Sequence, residues 1–332
     1  MPKIYGCVTD IINTTRVWGL QVSMIKQGLL TLTQLYNVHT LVISEIENQL
    51  SECGNCRKQW PGFQCLPSFL VPSLVDLILS NSSDYCCLRD DIAAIETWSV
   101  NNSLQFNTSK CKYMIISRKR NPVTPTSPLL LNGTPMEEVE TFKYLGLLIS
   151  SDLSWNDHID SVCSKAKKIL GLLYRRYYNL VDDAIIKQLY IALVRPHMEY
   201  ACVVWDPYTH KNIKSLEQVQ AFACKLASRR WDAGYEGSLD LLNIPSLQER
   251  RIHLKLGLLY KIIHSLCYFP DDILEFRPNH HTRSTNPLTL KQPFARTNAF
   301  YYSFVPHTIS LWNSLSYSQV TATSLASFKQ LI

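Results

Sequence analysis

Three adjacent aspartate pairs, Asp90-Asp91, Asp182-Asp183 and Asp271-Asp272, are the first place to look for chemistry in this chain. Neighbouring carboxylates can hold a divalent cation, and two such cations a few ångström apart stabilise attacking and leaving oxygens together. Each pair, however, stands before a helical pattern of apolar residues, where carboxylates cap free backbone N–H groups. The spacing therefore predicts helix caps rather than metal ligands. A second cluster is Cys53-x-x-Cys56 with Cys65. Zinc would need a fourth Cys or His at suitable spacing. The nearest histidine, His39, lies upstream, so ordinary thiols are expected. The third group is cationic. Lys165, Lys168, Arg175 and Arg176 lie mostly off the apolar stripe of one helical pattern, free to meet a polyanion.

The charge balance points to the same stretch. Apolar residues make up 46% and charged residues 18%, a globular composition, with a net charge of +6. Residues 158–230 carry 12 Lys and Arg against 6 Asp and Glu. The counts are 5 and 5 for 1–80, 7 and 9 for 81–157, and 9 and 7 for 231–332. Such a local excess is either a nucleic-acid footprint or a solvated helical face. The first twenty residues show no basic start followed by an apolar core, so the eleven cysteines are expected to be free thiols. The apolar stretch Leu66 to Leu79 is broken by Pro67, Pro72 and Asp76 and is too short to span a bilayer. An intracellular protein, in cytoplasm or nucleus, is expected, neither secreted nor membrane-bound.

The elements that would position these groups differ along the chain. Residues 1–83 show no sustained period. Leu88, Ile92, Ile95 and Trp98 suit one face of a helix opened by Asp90-Asp91, and Asn101-Asn102 ends it. Tyr113 to Ile116 reads as a strand. Residues 118–128, with Pro122, Pro125 and Pro128, read as a loop. Asn132-Gly133 is the strongest short hairpin signal, and a strand from Phe142 to Ile149 follows. From residue 157 the period is helical. One helix has Ile159, Val162, Cys163, Ala166, Leu170 and Leu173 inward. A second, from Asp182-Asp183, buries Ile186, Leu189, Tyr190 and Leu193 and ends at Pro196. A third runs from 213 to 228, and helical periodicity returns from Leu247 to Leu266. The Pro- and aromatic-rich tail is expected to pack back over the helices. The class is α+β.

Four ordered segments carry a resemblance. They are Leu88-Arg89-Asp90-Asp91-Ile92 with Glu96-Thr97-Trp98; Leu104-Gln105-Phe106-Asn107-Thr108-Ser109-Lys110-Cys111; Phe142-Lys143-Tyr144-Leu145-Gly146 with Asp152-Leu153-Ser154-Trp155; and Leu193 to Ala201 with Val204-Trp205-Asp206-Pro207. Together with Phe304-Val305-Pro306, Leu311 to Leu315 and Ser327-Phe328-Lys329, the set resembles the C-terminal portion of reverse transcriptases from jockey-type non-LTR retrotransposons. The resemblance covers residues 84–332.

It implies that residues 84–156 form the end of a polymerase palm and residues 157–230 a basic helical thumb. Residues 231–332 would then be a helical, Pro- and aromatic-rich C-terminal region. Lys110 matches the lysine of the palm loop near the incoming nucleotide, where an ammonium assists the leaving pyrophosphate. Phe142, Tyr144, Leu145 and Gly146 match the primer grip, whose glycine lets backbone approach the primer closely. Lys165, Lys168, Arg175 and Arg176 would hold the phosphates of an RNA–DNA hybrid or template–primer duplex. The family's magnesium ligands include a Tyr-x-Asp-Asp hairpin shortly before residue 84. The sequence there, Pro72 to Ser80, contains none. No catalytic residue, metal or small-molecule substrate is therefore assigned to this chain. The expectation is a catalytically inactive polymerase fragment that keeps duplex-binding elements. The alternative is a helical protein-interaction module without nucleic-acid binding.

Overall fold

A computed structural model describes residues 22–26, 84–101, 106–117, 124–144, 146–232, 234–267, 274–277 and 288–332. Cys53, Cys56, Cys65, the stretch 72–80, Leu145 and Asp271-Asp272 lie outside the described residues. The described residues fall in two compact units, one ending at Trp155 and the other beginning at Asn156.

In the first unit, Tyr85, Leu88 and Ile92 recur at spacings of three and four and bury one face of helix α1 (Asp84–Asn101). The helix starts six residues before Asp90, which is exposed in mid-helix, so the Asp90-Asp91 pair does not cap it. The apolar spacing already begins at Tyr85. A single 3-10 turn, Thr108–Lys110, leads into strand β2 (Lys112–Ser117). Tyr113 and Ile115 face the core built with α1, while Met114 and Ile116 join Ile149, Tyr144 and Trp155 on the other side. A strand buried on both faces needs the unbroken apolar run seen in its sequence, and such runs typify parallel pairing. Accordingly β2 pairs in parallel with β1 (Val22–Lys26) and β5 (Glu137–Glu138), where the sequence predicted antiparallel strands throughout.

Two hairpins are antiparallel. Strands β3 (Leu130–Leu131) and β4 (Thr134–Pro135) flank Asn132 (φ 49) and Gly133 (φ 71), the two positive dihedrals that a tight I′ turn requires. The Asn132 N–H donates to the Glu96 carboxylate, tying this hairpin to α1. Strands β6 (Thr141–Tyr144) and β7 (Leu147–Ser150) pair from Thr141↔Ser150 to Tyr144↔Leu147.

The second unit is helical: α2 (Asn156–Tyr177), α3 (Asp183–Leu189), α4 (Arg195–Glu199), α5 (Cys202–Trp205), α6 (His210–Ser228), α7 (Tyr235–Leu242) and α8 (Leu247–Ile263), then α9 (Asn298–Tyr301), α10 (Phe304–Asn313), α11 (Tyr317–Val320) and α12 (Leu325–Leu331). Between α3 and α4, residues Tyr190–Val194 wind as a π segment, and the Arg195 N–H bonds five residues back to Tyr190. This corrects two expectations. The helical path continues through Pro196, because the widened turn relieves the proline's clash with the preceding carbonyls. The extra residue also moves the buried face from Leu193, which is exposed, to Val194.

The tail folds back as its composition predicts. Trp312 and Phe328 are fully buried, and Phe328 stacks on Tyr260 of α8 at 4.6 Å. The Tyr260 hydroxyl donates to the Ala322 carbonyl at 2.7 Å. Asn313 pairs its side-chain amide with both backbone groups of Leu290 at 2.9 Å, mimicking a strand partner. No helix among the described residues is long and apolar enough to cross a membrane.

Candidate nucleic-acid interface

Helix α2 buries Ile159, Cys163, Ala166, Leu170 and Leu173, with Val162 half-buried. At about 100° per residue, Lys165, Lys168, Arg175 and Arg176 fall within an arc of about 100°, centred on the side opposite that stripe. All four are exposed, and none has an ion-pair partner among the described residues. The two arginines sit in the last turn, where free carbonyls favour cations. Lys165 lies close enough to His197 of α4 that burial and the ammonium together lower the imidazole pKa. What the geometry offers is a linear set of cations on one rigid helical face, suited to successive phosphates.

The helix end carries aromatic rings as well. Tyr174, Tyr178 and Phe222 surround Trp231 at centroid distances of 6.3, 6.5 and 5.9 Å, and the indole N–H donates to the Tyr178 hydroxyl at 3.2 Å. Arg229, just beyond α6, is used internally. It pairs with Asp183 at 2.5 Å, donates to the Val181 carbonyl at 2.7 Å and lies over the Tyr178 ring. Asp182 stands at the N-cap position of α3, although its side chain makes no capping bond.

The palm residues are placed less completely. Lys110 closes the 3-10 turn before β2, and its side chain lies outside the described part of the structure. In the β6–β7 hairpin, Phe142 pairs opposite Ile149 and Tyr144 opposite Leu147. Burial pushes the Tyr144 hydroxyl up to about 12. Gly146 has φ 86, so the turn itself requires glycine there. Among the described residues no group of three His, Cys, Asp or Glu side chains comes together as a metal site.

Sequence reasoning missed a buried ion network. Arg251 and Lys255 of α8 are 1% and 0% exposed. Arg251 donates to Asp206 at 2.7 Å, and Lys255 bonds the other Asp206 oxygen and reaches His307 Nδ1 at 3.0 Å. Arg250 grips both oxygens of Glu199, which also faces Arg195 at 3.6 Å. Glu217 accepts the Gln248 N–H at 2.8 Å and lies 4.0 Å from Arg251. Desolvation, then the Lys255 charge, lowers His307 to about 4, so the imidazole stays neutral beside the ammonium. The signal was present in the sequence: Arg251 and Lys255 sit four apart within the apolar stripe that continues to Leu259. A cation at an apolar position must be paired.

Four residues of the motifs behind the resemblance make scaffold contacts. Glu199 and Asp206 anchor α8, the Trp205 indole donates to the Tyr200 carbonyl at 2.9 Å, and Asp152 accepts the Ser154 N–H at 2.8 Å to set the turn after β7.

No family model matches the chain, and no solved structure matches it. Comparison with curated proteins shows a distant relationship to the RNA-directed DNA polymerases of retrotransposons. The chain is similar to the RNA-directed DNA polymerase from mobile element jockey of Drosophila funebris, 22% identical over 138 residues. It is also similar to the probable RNA-directed DNA polymerase from transposon X-element of Drosophila melanogaster, 22% identical over 143 residues. The matches cover 40% and 42% of this chain but only 14% and 15% of those polymerases. The uncharacterized protein B0403.1 of Caenorhabditis elegans is 28% identical over 131 residues, which is 38% of this chain and 65% of that protein.

Proposed function

We propose that the chain is a palm-end and thumb portion of a retrotransposon reverse transcriptase, and that it holds a template–primer duplex without polymerising. The observation that carries this reading is the face of α2: four exposed cations, without ion-pair partners among the described residues, set opposite the stripe from Ile159 to Leu173. Helix-borne lysines and arginines spaced along one face neutralise backbone phosphates without reading bases. An RNA–DNA hybrid, near A-form, is held by shape and backbone. The palm hairpin with Phe142, Tyr144, Leu145 and Gly146 would border the primer, and Lys110 the nucleotide end. Polymerisation is not assigned, because the 332 residues contain no Tyr-x-Asp-Asp sequence.

The test is a salt titration of a dye-labelled RNA–DNA hybrid followed by anisotropy. Each phosphate contact contributes about −0.9 to the slope of log K against log salt on B-form DNA, and a similar steep dependence is expected here. Reversing the four charges together (K165E, K168E, R175E, R176E) removes hybrid binding. Unchanged affinity at low salt would leave a helical protein-interaction module in its place. Primer extension on an RNA template with Mg²⁺ or Mn²⁺ would overturn the non-catalytic part.

A further inference from the structure

We infer that the aromatic cluster at the C-terminal end of α2 is a stacking site for unpaired bases of a single-stranded nucleic acid. Only its place beside the duplex-binding face rests on the reading above. Large rings normally pack inward, yet Trp231 and Tyr174 are 46% and 44% exposed. They are not loose. Tyr174 and Tyr178 lie 5.1 Å apart on successive turns, and the indole is steeply inclined to the rings of Tyr174, Tyr178 and Phe222, at 81°, 65° and 61°. Its N–H is tied to the Tyr178 hydroxyl, and Arg229 locks Tyr178 from another side while its charge is spent on Asp183. The result is a ring fixed in orientation with nearly half its surface open, so stacking would cost little conformational freedom.

The neighbouring charges favour a polyanionic strand as occupant. Arg175 and Arg230, next in the chain to Tyr174 and Trp231, are exposed without ion-pair partners among the described residues, against the carboxylates of Asp182 and Asp232. Fixed aromatic faces interleaved with free guanidinium groups are what sequence-tolerant single-strand sites use. Every base has a π-face for the indole, and each adjoining phosphate meets a cation.

The experiment uses the full chain with two probes, a short labelled oligo(dT) and a blunt-ended RNA–DNA hybrid. The Trp231→Ala change is expected to weaken oligo(dT) binding about tenfold, the usual loss for one stacked base. Blunt hybrid binding should stay within about twofold, as for a surface change away from its contacts. Trp231→Phe keeps most of the oligo(dT) affinity. If Trp231→Ala fails to fold by circular dichroism, Tyr174→Ser replaces it, and a several-fold loss on oligo(dT) alone is again the expected result. Equal losses on both probes, no loss on oligo(dT), or no oligo(dT) binding by the parent chain would overturn the inference. So would self-association that Trp231→Ala abolishes while oligo(dT) binding stays intact, since the cluster would then serve a second copy. Loss of hybrid binding in the parent chain, with the oligo(dT) response intact, would sink the duplex reading alone.

Discussion

Helices α2 and α8 carry the same kinds of residue and use them in opposite ways. On α2, lysines and arginines stand on the face away from the core, exposed and without ion pairs among the described residues. On α8, Arg251 and Lys255 sit inside, matched against Asp206 and Glu217 and against the His307 ring. The first arrangement leaves charge available to an outside partner, and its members contribute little to folding. The second has no charge to offer, and each member holds its neighbours in place. Counting basic residues does not separate these cases. Their phase relative to the apolar stripe does.

The comparison breaks most decisively at Arg251. Arg251→Met leaves Asp206 and Glu217 short of a cation in a desolvated setting, and should cost about 3–5 kcal/mol of stability in urea unfolding. If it is neutral, the network is not holding the unit together. The fourfold reversal on α2 should do the converse. Unfolding should shift by no more than about 0.5 kcal/mol per site, while hybrid affinity falls at least about a hundredfold, close to 2.7 kcal/mol.

Acid should also separate the two regions. Buried His158, packed edge-on to Trp205 at 5.1 Å, and His307 both titrate near 4 in the folded chain, lowered by desolvation from 6.5. Between those pH values the unfolded chain binds more protons, so stability is fully present above about 6.5 and declines as the pH falls toward 4. Chemical unfolding at pH 7 and pH 5 should show a loss of up to about 2 kcal/mol for each of the two imidazoles. His307→Gln should diminish that loss, whereas the α2 reversal should leave it unchanged. A smaller effect, outside both helices, sets the baseline. Gly133→Ala meets nothing within 4 Å, so its cost is the left-handed backbone alone, about 1 kcal/mol by melting.

Much of this was legible in the residues. The stripe from Ile159 to Leu173 follows from helical spacing, and Asn132-Gly133 from the dihedrals a tight turn demands. Trp312 and Phe328 had to be buried somewhere. What escaped were features that depend on contacts distant in sequence. Arg250 meets Glu199, and Lys255 meets His307, only once the fold exists. Asp90-Asp91 looked like a helix start because two carboxylates there suit one, but the apolar face had already begun at Tyr85. Leu193 was placed inward by regular winding, which the π segment interrupts.

That segment binds two oddities of the sequence into one. Ile186, Tyr190, Val194 and Met198 are buried at intervals of four, a rhythm that would spiral off a regular helix by about 40° each step. A chain shortened by one residue within 190–194 would still turn Val194 and Met198 inward, but would press a prolyl ring against the carbonyl four positions back. The widened turn thus serves both the proline ring and the burial of Val194 and Met198.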